Sequence, residues 1–373
     1  MYGLYDNGAK VVFFSGDVQK LKDDLAVVKP TIFVSVPRLY SRFYDVLKAR
    51  FKEVTGFTKT ALEYALKAKL DNLTSTGTYK HSIYDRIFFA KTREALGGRV
   101  RLMISGSAPL LPEVQNFLKV CMCAPLIEGF GQTESTGAMT ITDGDDPVVR
   151  HVGGPTVNIE MKLMDIPEMS YMSTDKDENG NPAPRGEIWA RGPGVFKGYY
   201  HDEVKTKEAI TEDGWLRTGD VGAMSAQNHA LSIIDRKKNI FKLQQGEYVA
   251  AEKVENTYLK GDRLAEIFIH GESTESFVVA IAVPHHKPLI ELATSKNIEG
   301  TPEQLCQNDA IRADMVAYLN KIGKEAGLQG FEQAKNIYLE AEPFMNKGIL
   351  TNTMKIQRHE AKKFYRAVID QLY

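Results

Sequence analysis

A short stretch, GFGQTES at residues 129–135, combines flexible backbone with three kinds of polar side chain. Its two glycines let backbone N–H groups approach a ligand closely. The hydroxyl of Thr133 can donate a hydrogen bond to a phosphate oxygen, and Glu134 offers the carboxylate oxygens that Mg²⁺ prefers. The stretch therefore suits a nucleotide, although a glycine turn followed by a solvated glutamate explains it equally well.

Two isolated charged residues suggest further contacts with such a ligand. Asp220 follows a Thr-Gly turn in DGWLRTGDVG, and its two oxygens can accept hydrogen bonds from both hydroxyls of a ribose. Lys355 stands among threonines and an asparagine in GILTNTMKIQRHE, without a helical pattern before it. A lysine on such a loop can bring a point charge to a reacting phosphate. The alternatives are a turn-forming aspartate and an ordinary surface lysine.

A run of cations follows a predicted strand in IIDRKKNIFK. It consists of Arg236, Lys237, Lys238 and Lys242. Four cations at this position could bind phosphates, and they could equally coat an exposed loop, which is the usual meaning of a charge run. The histidines of the chain carry less information, since His229 fits a structural turn and the pair His285–His286 fits a solvated loop.

Composition narrows the class of protein. Lysine plus arginine (47) nearly equals aspartate plus glutamate (48), so the formal charge of -1 predicts no attraction to nucleic acid. Three cysteines, two of them in CMC at 121–123, form neither an even disulfide framework nor a zinc spacing. The longest apolar runs, such as FVVAIAV at 277–283, are shorter than the roughly 20 residues of a membrane helix. Residues 1–17 lack the pattern of a signal peptide.

The elements that would position these residues alternate between strand and helix. We expect strands at Val11–Phe14, Ile32–Val36 and Val100–Ile104, with helical patterns over much of 21–29 and 38–96. A further helix begins at Pro112. This alternation favours parallel strands with helices on both faces, an architecture that binds ligands beyond the carboxyl ends of its strands. The glycine turns at 105–109 and 129–131 lie at such ends.

The pattern changes after about residue 150. Short alternating runs and polar turns predict a small antiparallel or barrel-like module, with Asn228 and His229 in its last turn. Beyond it come helical and strand-like runs that predict a separate α+β domain. At 373 residues the chain is long enough for two domains, which we place at 1–235 and 236–373.

Five ordered motifs resemble the core motifs of adenylate-forming enzymes, and the resemblance covers nearly the whole chain. They are GSAPL (106–110), EGFGQTES (128–135), DGWLRTGDVG (213–222), IIDRKKNIFKLQQGEYVAAEKVEN (233–256) and LTNTMK (350–355). SVPRLYSRFYD, GGRVRLMISGSAP, RGPGVFKGYY and IFIHGES resemble more narrowly the eukaryotic long-chain fatty acyl-CoA synthetases. The resemblance implies an α/β fold: a partial adenylate-forming large domain of parallel sheet layers with a β-barrel-like module, then a smaller α+β domain.

The resemblance also implies a ligand and a role for each motif. The substrates would be a long-chain fatty acid, ATP and coenzyme A, with Mg²⁺ as the metal, and the products acyl-CoA, AMP and pyrophosphate. The residues bordering the nucleotide would be Gly106, Ser107, Gly129, Phe130 and Gly131. Thr133 would hold the α-phosphate and Glu134 the magnesium.

In the later motifs, Asp220 and Arg236 would bind the ribose and Lys242 a phosphate. Lys238 would be the hinge of a mobile small domain, and Gly246 would face coenzyme A after that domain rotates. Lys355 would stabilise charge in the adenylation transition state. The resemblance implies an intracellular location and allows peripheral association with a membrane, at the endoplasmic reticulum or the peroxisome. None of the motifs bears on oligomeric state.

Residues 1–373 depart from the family pattern mainly in lacking one loop, and to a smaller extent at GAMSAQNHALSIID, where the family usually has a Trp, a Pro and an Asn-Gly turn. Family members also carry a Ser/Thr/Gly-rich phosphate loop ending in lysine ahead of these motifs, and we find no such stretch in this sequence. We therefore expect an N-terminally truncated chain with feeble ATP–pyrophosphate exchange. The alternative function is that of an inactive paralogue or fragment that acts only as a binding or regulatory protein. A serine hydrolase built on ISGSAP is disfavoured, because it would need a second glycine after the serine.

Overall fold

The computed structural model describes residues 5–17, 20–351 and 354–373. The chain divides into two compact units, one ending at Val157 and the other beginning at Asn158. This division falls earlier than the predicted boundary between residues 235 and 236. The predicted boundary concerns a hinge that moves during a reaction, and it stays a prediction.

The first unit contains a mixed five-stranded sheet. Its strands are β1 (Ile32–Ser35), β2 (Leu102–Gly106), β3 (Leu126–Gln132), β4 (Gly137–Ile141) and β5 (Gly154–Pro155). They lie in sequence order; β1, β2 and β3 are parallel, whereas β4 and β5 pair antiparallel. Its helices are α1 (Leu21–Val28), α2 (Pro37–Glu53), α3 (Gly56–Thr76), α4 (Ser82–Ile87), α5 (Ala90–Arg93) and α6 (Pro112–Met122). The predicted alternation of strands and helices is confirmed.

Local sequence explains where these helices begin and end. Helix α6 has Pro112 as its first residue, where the missing N–H costs no hydrogen bond. Helix α3 ends at Gly77 in the left-handed conformation (φ 75°), and a Cβ there would lie 2.6 Å from the Asp145 carbonyl oxygen. The helices cover an apolar core that includes Tyr40, Leu47, Phe89, Leu96, Met103 and Leu118, all fully buried.

The predicted strand at Val11–Phe14 is wrong. These residues form no strand, and Val12, Phe13 and Phe14 are 58%, 74% and 53% exposed. An apolar β-branched run forms a strand only where another strand can pair with it and a core can cover it. In the described sheet β1 is the edge strand, and it pairs only with β2. Among the described residues, 11–14 have the composition of a strand but do not pair with the open edge of β1, and three of their four side chains are not covered by a core.

The second unit contains three sheets. The first is an antiparallel sheet of β6 (Glu160–Met164), β7 (Arg185–Arg191), β8 (Leu216–Met224) and β9 (Leu231–Arg236). The others are the hairpin of β10 (Ile240–Lys242) and β11 (Tyr248–Ala250), and the sheet of β12 (Leu264–His270), β13 (Val278–Pro284) and β14 (Ala334–Leu339). The predicted barrel-like module is thus an open sheet, with β6 and β9 at its edges.

Seven helices accompany these sheets in the described part of the second unit. They are α7 (Glu203–Ala209), α8 (Ala251–Tyr258), α9 (His286–Ser295), α10 (Pro302–Gln307), α11 (Asp309–Glu325), α12 (Arg358–Phe364) and α13 (Arg366–Leu372). The turn between β8 and β9 is confirmed at Asn228 and His229: His229 has φ 54°, and Asn228 Oδ1 accepts a hydrogen bond from the Ala230 N–H. No helix within 5–17, 20–351 and 354–373 is both long and apolar enough to cross a bilayer.

Candidate functional site

In the first unit, two glycines lie side by side at the carboxyl ends of parallel strands. Gly106 ends β2 and is in register with Gly129 of β3. A Cβ on Gly106 would come within 3.4 Å of the Gly129 carbonyl oxygen. The chain then turns at Ser107, which is exposed and has φ 77°. The pair leaves backbone without side chains at the edge where this architecture binds ligands.

The GFGQTES stretch spans the end of β3 and the turn of the β3–β4 hairpin: residues 129–132 belong to β3 and pair with β4, and residues 133–135 form the turn, so the glycine turn predicted at 129–131 is wrong. The hydroxyl of Ser135 accepts a hydrogen bond from the Gln132 N–H (3.0 Å), and its single O–H can donate to the carbonyl oxygen of either Gln132 (2.9 Å) or Gly137 (2.8 Å). Gly131 has to be glycine, because a Cβ there would lie 1.9 Å from the Gly137 carbonyl oxygen. Thr133 is exposed on this turn, and Glu134 beside it is half-buried. The turn is therefore fixed from within while the Thr133 side chain stays accessible.

A buried carboxyl that the sequence analysis missed lies beneath these turns. Glu128 is 5% exposed, and its Oε2 accepts a hydrogen bond from the Leu110 N–H (3.1 Å). It thereby ties β3 to the end of the turn that follows Gly106. Burial raises the pKa of Glu128 to about 7, although the Leu110 hydrogen bond and the charge of Lys119 oppose the shift. The one available signal was a glutamate inside the apolar run APLIEGF.

In the second unit, Asp220 and Arg236 lie opposite each other on β8 and β9. They are in register, and Arg236 Nε lies 3.3 Å from Asp220 Oδ1. Asp220 is 9% exposed, and burial raises its pKa to about 6. The charges of Arg236 and Lys355 oppose this shift, whereas the charge of Glu252 adds to it. Asp220 is therefore a carboxyl that changes its charge close to neutral pH.

Lys355 lies on a loop much later in the sequence, yet it is close to Asp220 and Arg236. An isolated bridge joins Leu350 to Ile356, and between them the Thr351 N–H donates to the Lys355 carbonyl oxygen (2.8 Å). Much of Lys355 is exposed, yet partial desolvation of its ammonium lowers its pKa. The charge of Arg236 lowers the pKa further, and the charges of Glu252 and Asp220 raise it. The structure thus brings Asp220, Arg236 and Lys355 together within one unit.

The remaining predicted residues lie on or next to the β10–β11 hairpin. Lys238 and Lys242 are exposed, and Lys242 Nζ lies 5.4 Å from the centre of the Tyr248 ring. Gly246 turns the hairpin with φ 99°, and its N–H donates to the Leu243 carbonyl oxygen (3.0 Å). Their roles at a hinge, a phosphate and coenzyme A stay predictions. Lys237, in the same charge run, is an ion-pair residue: its Nζ lies 3.4 Å from a carboxylate oxygen of Glu187.

A buried ionic network, also missed by the sequence analysis, connects these elements. Asp235 Oδ2 accepts a hydrogen bond from the Glu252 N–H (2.8 Å) in the first turn of α8. Arg358 Nη2 lies 2.6 Å from Glu255 Oε2, and Arg358 Nη1 donates to the Ile269 carbonyl oxygen (3.2 Å). Desolvation raises the pKa of Glu255 to about 7, against the opposing charge of Arg358. Arg358 therefore anchors the start of α12, three residues after Lys355.

Glu134 fits a magnesium ion only in combination with a phosphate ligand. No group of three or more histidine, cysteine, aspartate or glutamate residues in the described ranges could hold a metal ion by itself. Mg²⁺ usually retains several waters and binds through one or two carboxylates plus substrate phosphates. A single half-buried carboxylate beside the exposed Thr133 hydroxyl is compatible with that mode.

A mixed sheet with paired glycines where its parallel strands β2 and β3 end their pairing, and a charged Asp–Arg–Lys cluster in the second unit, are compatible with an adenylation-type fold. The family model described as AMP-binding enzyme matches residues 1–200. The chain belongs to the AMP-binding enzyme family.

Curated relatives narrow the resemblance to long-chain acyl-CoA synthetases. The chain is 45% identical to long chain acyl-CoA synthetase 6, peroxisomal, of Arabidopsis thaliana, over 98% of this chain and 52% of the relative. It is 42% identical to long-chain-fatty-acid–CoA ligase 1 of Homo sapiens, over 98% of this chain and 51% of the relative. The chain thus spans about half the length of the curated relatives it matches.

Solved structures confirm the fold. The adenylation domain of a carboxylate reductase from Mycobacterium chelonae superposes with a TM-score of 0.74 at 29% identity, over 96% of this chain and 49% of that one. The corresponding domain from Segniliparus rugosus, in complex with AMP and a co-purified carboxylic acid, gives a TM-score of 0.70 at 29% identity, over 97% and 50%. The predicted adenylate-forming fold is therefore confirmed.

Proposed function

We propose that this protein functions in the ATP-dependent formation of long-chain fatty acyl-CoA through an acyl adenylate, with release of AMP and pyrophosphate. The observation that carries the proposal is that the charges of Lys355 and of the more exposed Arg236 both act on the buried carboxyl of Asp220. The names of the relatives, which are long-chain fatty acid ligases, support the substrate class.

The first unit supplies groups for the base and the phosphates of ATP. Backbone at Gly106 and Gly129 provides a surface without side chains for the flat adenine. The Thr133 hydroxyl can donate to an α-phosphate oxygen, and Glu134 can provide a magnesium ligand. Bound magnesium would neutralise charge on the phosphate oxygens during adenylation. We include Ser107, Phe130 and Gly131 among the residues that border the nucleotide.

The second unit supplies groups for the ribose and for the charge that develops during reaction. The Asp220 carboxylate can accept hydrogen bonds from the two ribose hydroxyls, with Arg236 holding it in position. A fatty acid carboxylate oxygen attacks the α-phosphorus, and the bond to pyrophosphate breaks with its electron pair leaving on the pyrophosphate. The Lys355 ammonium stabilises negative charge that is greater in this transition state than in the substrate.

The second half-reaction requires different groups. The thiolate of coenzyme A attacks the carbonyl carbon of the mixed anhydride, and AMP leaves with the electron pair of the broken C–O bond. This step develops no charge on a departing pyrophosphate, so it does not need Lys355. We propose that Gly246 faces coenzyme A, that Lys242 contacts a nucleotide phosphate and that Lys238 is the hinge. We also propose an intracellular location, which is supported by two relatives named as peroxisomal, and peripheral association with a membrane.

The test of this proposal is binding of a non-hydrolysable acyl adenylate to the purified protein. We expect an analogue with a sulfamate in place of the phosphate and a 16-carbon acyl chain to bind at least tenfold more tightly than AMP in isothermal titration calorimetry. The reason is that the analogue fills acyl and nucleotide subsites at once. Equal affinity for acetyl and 16-carbon analogues would contradict the long-chain assignment, and no binding of either would contradict the handling of an adenylate.

The ribose role of Asp220 predicts a pH dependence. Because burial raises the pKa of Asp220 to about 6, the ionised form that accepts hydroxyl protons best is lost as pH falls through 6. We expect affinity for adenosine, which carries no titrating phosphate, to fall about tenfold between pH 7.5 and pH 5. Asp220→Asn should bind weakly and independently of pH over this range, whereas Asp213→Asn, at an exposed position of the same motif, should behave as the wild type. If affinity for adenosine falls with pH in Asp220→Asn as it does in the wild type, the role is refuted.

A further inference from the structure

A cavity of about 280 Å³ lies in the first unit, away from every residue assigned a role above. Its lining residues are Lys80, Asp85, Arg93, Val100, Arg101 and Cys123. They come from the segment before α4, from α4 and α5, from the approach to β2 and from the residue after α6. Three of the six are cations, and one is an acid.

The acidic member of the lining is already neutralised. Asp85 forms an ion pair with Lys69, whose side chain is 1% exposed. The second oxygen of Asp85 accepts a hydrogen bond from the His81 N–H (2.9 Å). Lys69 also donates to the Val120 carbonyl oxygen (2.7 Å), so the polar groups of this ion pair are satisfied within the chain. The charge of Asp85 is therefore not available to the cations that line the cavity.

The cations of the cavity are uncompensated. Across the described residues, Lys80, Arg93 and Arg101 form no ion pair with a carboxylate. The Nε of Arg93 is buried and has no hydrogen-bond acceptor. Buried polar groups are almost always hydrogen-bonded, because an unpaired buried donor loses its interaction with water and gains nothing in return. A buried guanidinium N–H that has no acceptor within the protein indicates that a ligand supplies the acceptor.

We propose that this cavity is an anion site that binds a dianionic phosphate group. Arginine presents a fork of N–H donors that matches phosphate oxygens, and lysine adds a point charge. Two arginines and a lysine carry more charge than a single carboxylate would neutralise. The volume lies near the lower limit of small-ligand pockets, which suits a phosphate with a small substituent better than a whole nucleotide. The phosphate could be free in solution or part of a lipid headgroup. This site is independent of the proposed acyl-CoA function.

The rate of alkylation of Cys123, which lines the cavity, can show whether a ligand is bound there. It is half-buried, whereas the other two cysteines, Cys121 and Cys306, are buried. Burial raises the pKa of the Cys123 thiol to about 11, with the charge of Lys69 opposing the shift. A bound phosphate would slow alkylation of this thiol in two ways, by covering it and by disfavouring the thiolate.

The experiment measures alkylation of Cys123 by iodoacetamide at pH 8.5, read by peptide mass spectrometry. We expect millimolar inorganic phosphate to slow the reaction at least fivefold relative to chloride at equal ionic strength. Arg93→Gln should abolish this protection. Arg50→Gln, which removes an exposed arginine outside the cavity, should leave it intact. Arg101→Gln, at an exposed position of the lining, gives a second test if Arg93→Gln does not fold.

Vesicles separate the two sources of phosphate. Protection by phosphatidic acid vesicles but not by phosphatidylcholine vesicles or inorganic phosphate supports the site with a lipid headgroup as its ligand. Protection of Cys123 by inorganic phosphate, whether or not the vesicles also protect it, supports a site for free phosphate. The proposal is overturned if no phosphate protects Cys123, or if protection persists in both Arg93→Gln and Arg101→Gln. Binding of the acyl-adenylate analogue should be unchanged in these variants, so failure here is distinct from failure of the proposed function.

Discussion

Replacing Lys355 with alanine is expected to reduce the rate of acyl-adenylate formation on the order of 10²-fold or more in the active enzyme. In the proposed mechanism, the lysine brings a positive charge to the place where negative charge develops on the α-phosphate and the departing pyrophosphate. Thioester formation from supplied acyl adenylate and coenzyme A should keep its rate, because no pyrophosphate leaves in that step. Fatty-acid-dependent release of pyrophosphate measures the first step, and thioester yield measures the second.

Lys363→Ala is the matched control, since Lys363 is an exposed lysine of the nearby helix α12. A second readout separates the loss of a charge from a local distortion. Lys355 lowers the pKa of Asp220, so its removal should raise that pKa above about 6. The fall in adenosine affinity at low pH should then begin at a higher pH in Lys355→Ala than in the wild type. Equal losses in the two half-reactions, or an unmoved pH profile, would contradict the role of Lys355.

The sequence motifs predicted the family and most of the strands and helices, because both depend on local patterns. GFGQTES predicted a glycine turn, but in the structure its glycines lie in β3, where Gly131 leaves no room for a side chain, and the turn begins only at Thr133. The helix start at Pro112 also followed from sequence. The strand expected at Val11–Phe14 failed because its formation depends on a partner strand rather than on its own composition.

The charged groups that hold the candidate site in place could not be predicted, because burial is decided by tertiary structure. Glu128, Asp235 and Glu255 look like ordinary acids in the sequence, yet all three are buried. Nothing in the sequence indicates that Arg358 pairs with Glu255, which lies about a hundred residues away. Lys80, Arg93 and Arg101 are close in sequence, yet no sequence pattern shows that they line one cavity. Positions of motifs were therefore predictable, whereas the electrostatics around them was not.

The buried pair of Arg358 and Glu255 leads to the largest expected effect on stability. Their side chains are 18% and 9% exposed, and Glu255 Oε1 also accepts a hydrogen bond from the Ile269 N–H (2.8 Å). Arg358→Met should lower the free energy of unfolding at pH 8 by roughly 3–5 kcal/mol, because it leaves a carboxylate buried without its cation. Urea denaturation measures the change. Arg312→Met, which breaks the more exposed pair with Asp309, should cost about 1 kcal/mol or less.

The dependence on pH distinguishes an unpaired charge from a simple packing defect. Burial already raises the pKa of Glu255 to about 7 against the charge of Arg358, so Arg358→Met should raise it further. The folded variant then binds a proton that the unfolded chain has lost, so its stability must fall as pH rises from about 5 through the new pKa. Much of the stability that Arg358→Met loses at pH 8 should therefore be recovered near pH 5.5. The double variant Arg358→Met with Glu255→Gln should recover this stability even at pH 8. A loss that is equal at both pH values would show that Arg358 contributes packing rather than charge.

Because Arg358 follows Lys355 by three residues, the single variant should also slow adenylation, and the double variant should restore that rate only in part, since it lacks the anchoring ion pair.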